Sequence, residues 1–291
     1  MKRLWMVLFT MLLLTGCGIT TGRQPATESG QEYDGVVIAM LDTGISTAAI
    51  DNSQLLTGYN YVAKSKDTED RINHGTATAS VIAGCESAEI VGIAPDVMLV
   101  PLVVTDKIDG QVTSASPKVL AQAIRDAVDL YKADIINVSL GIQKDVEQVQ
   151  QAVAYAEEKG VLVISAVGND GKDDAKYYPA AYETVLGVGS HDKNGEISDF
   201  SQQNGTADLL APGENIWMAS RNGVRYGAKG SSYATAYVSA AAALLLAEDP
   251  ALTPEQVRQI LMTGATDVGD PGWDSFSGWG ILNFAAQQEN Q

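Results

Sequence analysis

Apolar runs that alternate with helix-forming segments restrict the folds open to this chain more than any other feature. Residues 36–41 form a continuous apolar run, residues 97–104 form a second one, and residues 134–140 and 161–167 also have the pattern of strands. A continuous run of this length is typical of a strand that is buried on both faces of a parallel sheet. We therefore predict that these four segments are strands of one sheet.

Helix signals separate these runs. Residues 74–84 combine small and apolar residues, Ser116-Pro117 supplies a cap and a first-turn proline for an apolar stripe, and residues 146–158 are amphipathic. Strands that alternate with helices imply right-handed crossovers. The pattern predicts an α/β fold in three layers, with a mostly parallel central sheet and helices on both faces.

The second half of the chain carries weaker signals. Residues 185–188 are predicted as a strand, residues 217–228 as an irregular segment or hairpin, and Thr253-Pro254-Glu255-Gln256 as a capping box that opens a helix to about residue 263. Trp273 and Trp279 follow in a Gly-rich tail, where packing is a commoner role than binding. The tail residues expected to pack on the core are Ile281, Leu282 and Phe284.

The N-terminal segment has the pattern of an export signal. Residues 1–16 begin with Lys2-Arg3 and continue with an apolar run that is shorter than the roughly 20 residues of a spanning helix. The sequence Leu14-Thr15-Gly16-Cys17 resembles a bacterial lipobox, in which Cys17 would be lipidated; ordinary signal cleavage nearby is the alternative. Residues 17–34 are polar and rich in turn formers, so we expect a flexible tether before one folded domain at residues 35–291. Cys85 is the other cysteine, so no internal disulfide is expected once Cys17 is lipidated.

Charge limits the partners of this chain. The formal net charge is −17, with 36 acidic and 19 basic residues among 291. Such an excess disfavours nucleic acid and anionic membrane surfaces as partners, and solubility is its simplest explanation.

Two serines stand at the start of an apolar helix-forming segment, residues 230–246. Ser231 or Ser232 could cap that helix, which is the commonest role of a serine there. A serine at this place could also be a nucleophile, because the N–H groups and positive dipole end of the helix lie close by. The choice depends on whether the chain also supplies a base, a carboxylate and an oxyanion donor.

The chain offers a carboxylate and a base at suitable places. Asp42 follows the strand predicted at residues 36–41, and the carboxyl ends of strands are where sites assemble in open α/β sheets. Asp42-Thr43-Gly44 also occurs in aspartic proteases, but a second such triplet is absent from the sequence. Of the two histidines, His74 lies among small residues and is the better candidate base, whereas His191 lies in a polar turn and is expected to be a solvated loop residue.

Taken in the order Asp, His, Ser, these segments resemble the subtilisin-like serine peptidase family, whose triad has this chain order. The resemblance extends over about residues 35 to 286 and implies a subtilisin-like fold. Further matching segments begin at Val91-Gly92-Ile93, Asn137-Val138-Ser139, Ser165-Ala166-Val167 and Asp208-Leu209-Leu210.

The resemblance implies a role for each matched position. Ser232 would be the nucleophile, His74 the general base and Asp42 the residue that orients the imidazole. Asn169 would donate to the oxyanion, with a turn asparagine as the alternative. The matched substrate-binding residues are Ser139, Leu140 and Gly141, which would pair with an extended peptide, and Tyr177 at the base of the pocket for the P1 side chain, the residue before the cleaved bond.

Departures from the family pattern concern the flanks of the site. Tyr233 and Ala236 replace the residues usual after the nucleophile, and neither change touches a proton-transfer atom. Tyr177 stands where many relatives carry a small residue, so the P1 pocket is expected to be shallow or reshaped. Nearby acidic residues could favour a basic P1 side chain or could simply be solvated: Asp170, Asp173 and Asp174.

The resemblance also bears on cofactors and cellular role. No cofactor is required for the chemistry; structural calcium is possible through Asp51, although the matching loop around Cys85 is shortened. The segment before residue 35 leaves no room for a folded pro-domain, which suggests a dedicated leader-peptide processing enzyme. We expect a monomeric, extracytoplasmic, lipid-anchored bacterial endopeptidase acting on peptides or proteins, with a catalytically silent peptide-binding surface protein as the alternative.

Overall fold

A seven-stranded sheet forms the centre of the protein. The computed structural model describes residues 35–171 and 174–283. The sheet order is β11-β10-β9-β8-β1-β5-β2, and its neighbouring strands pair in parallel. In chain order the strands are β1 (Val37–Asp42), β2 (Tyr59–Asn60), β3 (Gly84–Cys85), β4 (Ile90–Val91), β5 (Met98–Val103), β6 (Thr105–Ile108), β7 (Gln111–Ser114), β8 (Ile135–Val138), β9 (Leu162–Ala166), β10 (Val185–His191), β11 (Leu209–Pro212), β12 (Ile216–Ala219) and β13 (Arg225–Ala228).

Helices cover both faces of this sheet. The helices are α1 (Gly75–Ala83), α2 (Pro117–Asp129), α3 (Glu147–Glu158), α4 (Ser231–Glu248) and α5 (Pro254–Thr263), with short 3₁₀ turns at Asn52–Gln54 and Glu86–Ala88. Side chains alternate between the two faces of a strand. On β1, Ile38 and Met40 pack with α1, α4 and α5, whereas Val37 and Leu41 pack with α2 and α3. The predicted three-layer α/β fold is confirmed.

Most of helix α4 lies in the interior, and only its C-terminal part reaches the surface. Its first residues and the alanines at positions 240–243 are buried, and its apolar residues occur on all sides of the helix. A helix that is apolar all round belongs in a core. The small alanine side chains let α4 approach both α1 and the sheet closely, and this fixes the position of its N-terminus relative to the strand ends.

Several short elements were not predicted. The hairpin β6–β7 turns at Asp109 and Gly110, both of which have positive φ (49° and 81°), and Asp-Gly is a known signal for such turns. Strand β11 extends the sheet beyond β10. Residues 217–228, by contrast, were predicted as an irregular segment or hairpin, and they lie in the antiparallel pair β12–β13.

The tail after α5 returns to the sheet edge. Leu282 is buried and donates its backbone N–H to Leu210 of β11, as the prediction of a packed tail requires. Trp273 and Trp279 are 48% and 41% exposed. Phe284 lies outside the described residues.

Candidate active site

The site lies where the strand order of the sheet reverses. The chain passes from β1 to β5 on one side and then returns to β8 on the other side of β1. Crossovers leave the sheet in opposite directions from such a point, which opens a crevice at the carboxyl ends of the strands. Asp42 is the last residue of β1 and therefore stands at the floor of that crevice.

Asp42 is buried, with 2% of its side chain exposed, and its carboxylate is held on both oxygens. Oδ1 accepts the backbone N–H of Thr43 at 2.7 Å and lies 2.7 Å from Nδ1 of His74. Oδ2 accepts the hydroxyl of Thr78 at 3.2 Å. This network leaves the carboxylate one orientation, facing the imidazole.

His74 precedes α1 and faces Asp42 through Nδ1. An ionised carboxylate only accepts hydrogen bonds, so Nδ1 carries the proton and Nε2 is the basic nitrogen of the neutral ring. Burial lowers the pKa of His74, but the charge and hydrogen bond of Asp42, with a smaller contribution from Asp70, outweigh it, so the pKa is raised above 6.5. The side chain is 29% exposed, and its ring centroid lies 5.7 Å from that of Tyr233.

A second buried carboxylate, Asp70, joins the Asp42 and His74 segments. Its side chain is fully buried, and Oδ1 accepts the hydroxyl of Thr43 at 2.9 Å. Thr43 Oγ1 in turn accepts the N–H of Gly75 at 2.8 Å. The remaining donors to Asp70 are Ile72 N, Asn73 N, Thr76 N and Thr76 Oγ1. Asp70 was not among the predicted site residues, although an Asp followed by donors in a turn before a helix is a recognisable signal.

Ser232 lies in the first turn of α4 and is buried, with 7% of its surface exposed. The N-cap position belongs to Gly230, which has φ 159° and no capping side chain, so neither serine caps the helix. The Ser232 hydroxyl donates to the carbonyl of Ser139 at 3.0 Å. A hydroxyl has one proton, so in this conformation it does not donate to His74.

Asn169 is oriented by the residue next to Ser232. Its Oδ1 accepts both the backbone N–H and the hydroxyl of Ser231, each at 2.9 Å. A backbone N–H can only donate, so this contact identifies the oxygen of the amide. Nδ2 is therefore the amide atom that is not bonded to Ser231, and a Cβ atom added to Gly230 would lie 3.7 Å from it.

The predicted substrate-binding segment continues β8 beyond its last residue. Ser139 is buried, Leu140 packs partly against the core, and Gly141 is exposed. Ile142 then exchanges two backbone hydrogen bonds of 2.9 Å with Tyr178. This pairing brings Tyr177 to the same crevice as Ser139 and Gly141.

The second histidine does not occupy the environment that we expected. The prediction of a solvated loop for His191 is wrong, because His191 ends β10 and is only partly exposed. Its Nδ1 lies 2.6 Å from the carbonyl of Asp192, and its Nε2 is buried without a hydrogen-bond partner among the described residues. The strand continues further than its apolar run because Ser190 and His191 pair with Ala211 and Pro212.

Asp51 has a local structural role. Its Oδ1 accepts the N–H and the hydroxyl of Ser53, both at 2.7 Å, and so caps the 3₁₀ turn Asn52–Gln54. These hydrogen bonds lower the pKa of Asp51. Within residues 35–171 and 174–283, no three His, Cys, Asp or Glu side chains gather as a metal site. The residues around Asp51 therefore do not fit a carboxylate-rich calcium site.

The N-terminal predictions fall outside the part of the chain that the structure describes. They concern the signal at residues 1–16, Cys17 and the tether to residue 34. Among the described helices, none is long and apolar enough to cross a membrane. Cys85 is buried and forms no disulfide within the described part of the chain.

Almost the whole chain is similar in sequence to known peptidases. A family model described as the subtilase family matches residues 33–280. Minor extracellular protease Epr of Bacillus subtilis (strain 168) is 32% identical over 263 residues, which are 90% of this chain but only 40% of that protein. Subtilisin Savinase of Lederbergia lenta is 33% identical over 271 residues, 92% of this chain and 97% of the relative.

Solved structures of peptidases share the fold. The prenylagaramide maturation protease PagA is 30% identical with a TM-score of 0.73, covering 87% of this chain and 93% of that one. A lanthipeptide protease is 26% identical with a TM-score of 0.78, covering 88% of each chain.

Proposed function

The chain belongs to the subtilase family and is a serine endopeptidase, and from this premise we propose that Asp42, His74 and Ser232 are its catalytic triad. The observation that carries the proposal is the 2.7 Å contact between Asp42 Oδ1 and His74 Nδ1 at the strand-order reversal. The contact between the rings of His74 and Tyr233 supports it, because Tyr233 is the neighbour of Ser232.

In the proposed reaction, the Ser232 hydroxyl first rotates from the Ser139 carbonyl toward Nε2 of His74. Its oxygen then bonds to the peptide carbonyl carbon while its proton passes to Nε2. The imidazolium gives this proton to the leaving nitrogen as the C–N bond breaks. A water molecule then attacks the acyl-enzyme, with His74 again taking and giving the proton, and the second product is released from Ser232. Catalytic hydrogen bonds that are absent in a free enzyme commonly form when substrate binds.

Two further groups assist the proposed reaction. Asp42 holds the imidazole and stabilises its positive charge. Asn169 Nδ2 and the backbone N–H of Ser232 would bind the developing oxyanion, since Ser231 holds the other end of the Asn169 amide. The segment at Ser139, Leu140 and Gly141 would pair with an extended substrate.

Labelling with a fluorophosphonate tests the nucleophile, because the reagent needs an activated serine. We expect wild type to label and Ser232→Ala not to label. Ser114→Ala, a change on the exposed hairpin β6–β7, is the matched control and should label like wild type. Equal labelling of wild type and Ser232→Ala would refute the assignment of Ser232.

We further propose that the enzyme processes leader peptides. The support is its similarity to PagA, named as a prenylagaramide maturation protease, and to a lanthipeptide protease. A processing enzyme should cut a proteome-derived peptide library at few sites that share a motif, whereas a scavenging protease should cut at many. Cleavage without a shared motif would contradict the proposal.

We propose that the mature protein is extracytoplasmic and anchored by a lipid on Cys17. The support is the lipobox-like sequence and the extracellular relatives, such as the protein named minor extracellular protease Epr. Cells fed a labelled fatty acid should label wild type and Cys85→Ala but not Cys17→Ala. An unacylated mature N-terminus, measured by mass spectrometry, would exclude the anchor.

A further inference from the structure

The ring of Tyr177 bridges two glycines on opposite sides of the active-site crevice. A Cβ atom added to Gly168 would lie 2.4 Å from Cδ2 of Tyr177, and one added to Gly141 would lie 2.9 Å from its Cδ1. Both distances are shorter than any tolerated carbon contact. The ring therefore fills the width between these two segments, and only glycine fits on either side of it.

This space adjoins the atoms that would handle the scissile carbonyl. Gly168 precedes Asn169, and Gly141 is two residues beyond Ser139, whose carbonyl accepts the Ser232 hydroxyl. A substrate carbonyl placed between Ser232 Oγ and Asn169 has its own Cα one bond away. The side chain on that Cα, the P1 side chain, must therefore enter the space between the segments that end at Gly141 and begin at Gly168.

Polar contacts hold the ring in place at its far end. The Tyr177 hydroxyl donates a short hydrogen bond to Asp170 Oδ2 and accepts one from Gln143 Nε2 at 2.7 Å. Gln143 also donates to Asp170 Oδ2 at 3.2 Å, and the Asp170 backbone N–H donates to Gln202 at 3.0 Å. The phenol thus has both a donor and an acceptor partner, and moving the ring would break this group of contacts.

We propose that Tyr177 closes the P1 pocket and restricts this enzyme to substrates with Gly, Ala or Ser before the cleaved bond. The inference rests on the proposed function of Ser232 and Asn169. A larger P1 side chain would overlap the ring. Asp170 lies behind the ring and is hydrogen-bonded to Tyr177 and Gln143, so the site selects for small size and not for a basic side chain.

Replacement of Tyr177 tests this proposal directly. Purified full-length enzyme is assayed on peptides that differ only at P1, carrying Ala, Leu, Phe or Arg. Wild type should cleave the Ala peptide at least 10-fold faster in kcat/KM than the Leu or Phe peptide. Tyr177→Gly should raise kcat/KM for Leu and Phe by roughly 10- to 100-fold, the range expected for burying one large apolar side chain.

Two variants separate the ring from its hydroxyl. Tyr177→Phe keeps the ring and should keep the preference for Ala. Tyr155→Phe is the control. It removes an exposed hydroxyl that bonds Asp129 on the opposite side of the sheet from α4, and it should show the same P1 preference as wild type. Circular dichroism checks folding. If Tyr177→Gly does not fold, the wild-type enzyme can be inactivated with peptide chloromethyl ketones that carry Ala or Phe at P1. The reagent with Ala should then inactivate the enzyme faster than the reagent with Phe.

The outcomes distinguish this proposal from the one on which it rests. Equal wild-type cleavage of Ala, Phe and Leu peptides, or a preference for Arg, would overturn the role of Tyr177 and leave the serine nucleophile intact. An unchanged profile in folded Tyr177→Gly would do the same. Cleavage that persists in Ser232→Ala would instead overturn the assignment of the nucleophile.

Discussion

Replacement of Asp208 by Asn should stabilise the protein at neutral and alkaline pH. Asp208 lies before β11 at the sheet edge, and its Oδ2 accepts the backbone N–H of Gly187 at 2.7 Å. Burial raises the pKa of its carboxyl to about 6, even though the Gly187 hydrogen bond and the charge of Arg258 lower it. The folded protein therefore binds this proton more tightly than the unfolded chain.

The sign and size of the effect follow from linkage. Because the folded pKa is the higher one, the free energy of unfolding is greatest below the unfolded pKa and falls as pH rises through about 6. A shift from 3.8 to about 6, at 1.36 kcal/mol per pKa unit, corresponds to about 3 kcal/mol. Partial exposure of Asp208 makes this an upper bound. Asp208→Asn keeps an oxygen acceptor for Gly187 and removes the charge, so it should recover most of that loss above pH 7.

Urea unfolding between pH 4 and 8 measures the effect. Both proteins should carry Ser232→Ala to prevent self-digestion. The difference in unfolding free energy between Asp208→Asn and the parent should be small near pH 4 and should grow to about 2–3 kcal/mol by pH 8. Because all other groups titrate alike in the two proteins, the difference isolates Asp208. Parallel pH profiles would refute the reasoning.

Four further predictions concern the site. Activity should fall as the pH falls through the pKa of His74, which lies above 6.5. Asp42→Asn should move this fall in activity to lower pH, because Asp42 contributes most to raising the pKa of His74. If the fall stays at the same pH, another group causes it. Asn169→Ala should reduce kcat by about 10² to 10³, the cost measured for the equivalent donor in subtilisin itself. Ser231→Ala removes the hydroxyl bond to Asn169 and keeps the backbone one, so it should reduce kcat only about 2- to 12-fold and leave KM almost unchanged. A change in KM alone would contradict a positioning role for Ser231. Asp70→Asn should weaken the hydrogen bonds from Thr43 and Thr76, lower the unfolding free energy by about 1–3 kcal/mol and also reduce kcat. A loss of stability with an unchanged kcat would limit Asp70 to a structural role.

Much of the architecture was predictable because apolar runs and their periodicity are local properties of the sequence. The run at residues 36–41 identified β1, and the fold class follows from its alternation with helices, both of which the structure confirms. The family comparison likewise confirms a serine endopeptidase. Short elements such as β11 escaped prediction because their pairing partners, and not their own composition, make them strands.

The sequence by itself identified the residue types and the order of the candidate site, whereas the tertiary structure decided how these residues are held. Whether Ser231 or Ser232 caps α4 could not be read locally, because their partners Asn169 and Ser139 lie 62 and 93 residues away. The bridging position of Tyr177 depends in the same way on two glycines in separate segments. Such contacts form only when the sheet brings distant strand ends together, and for that reason the residue types were legible in the sequence and the shape of the pocket was not.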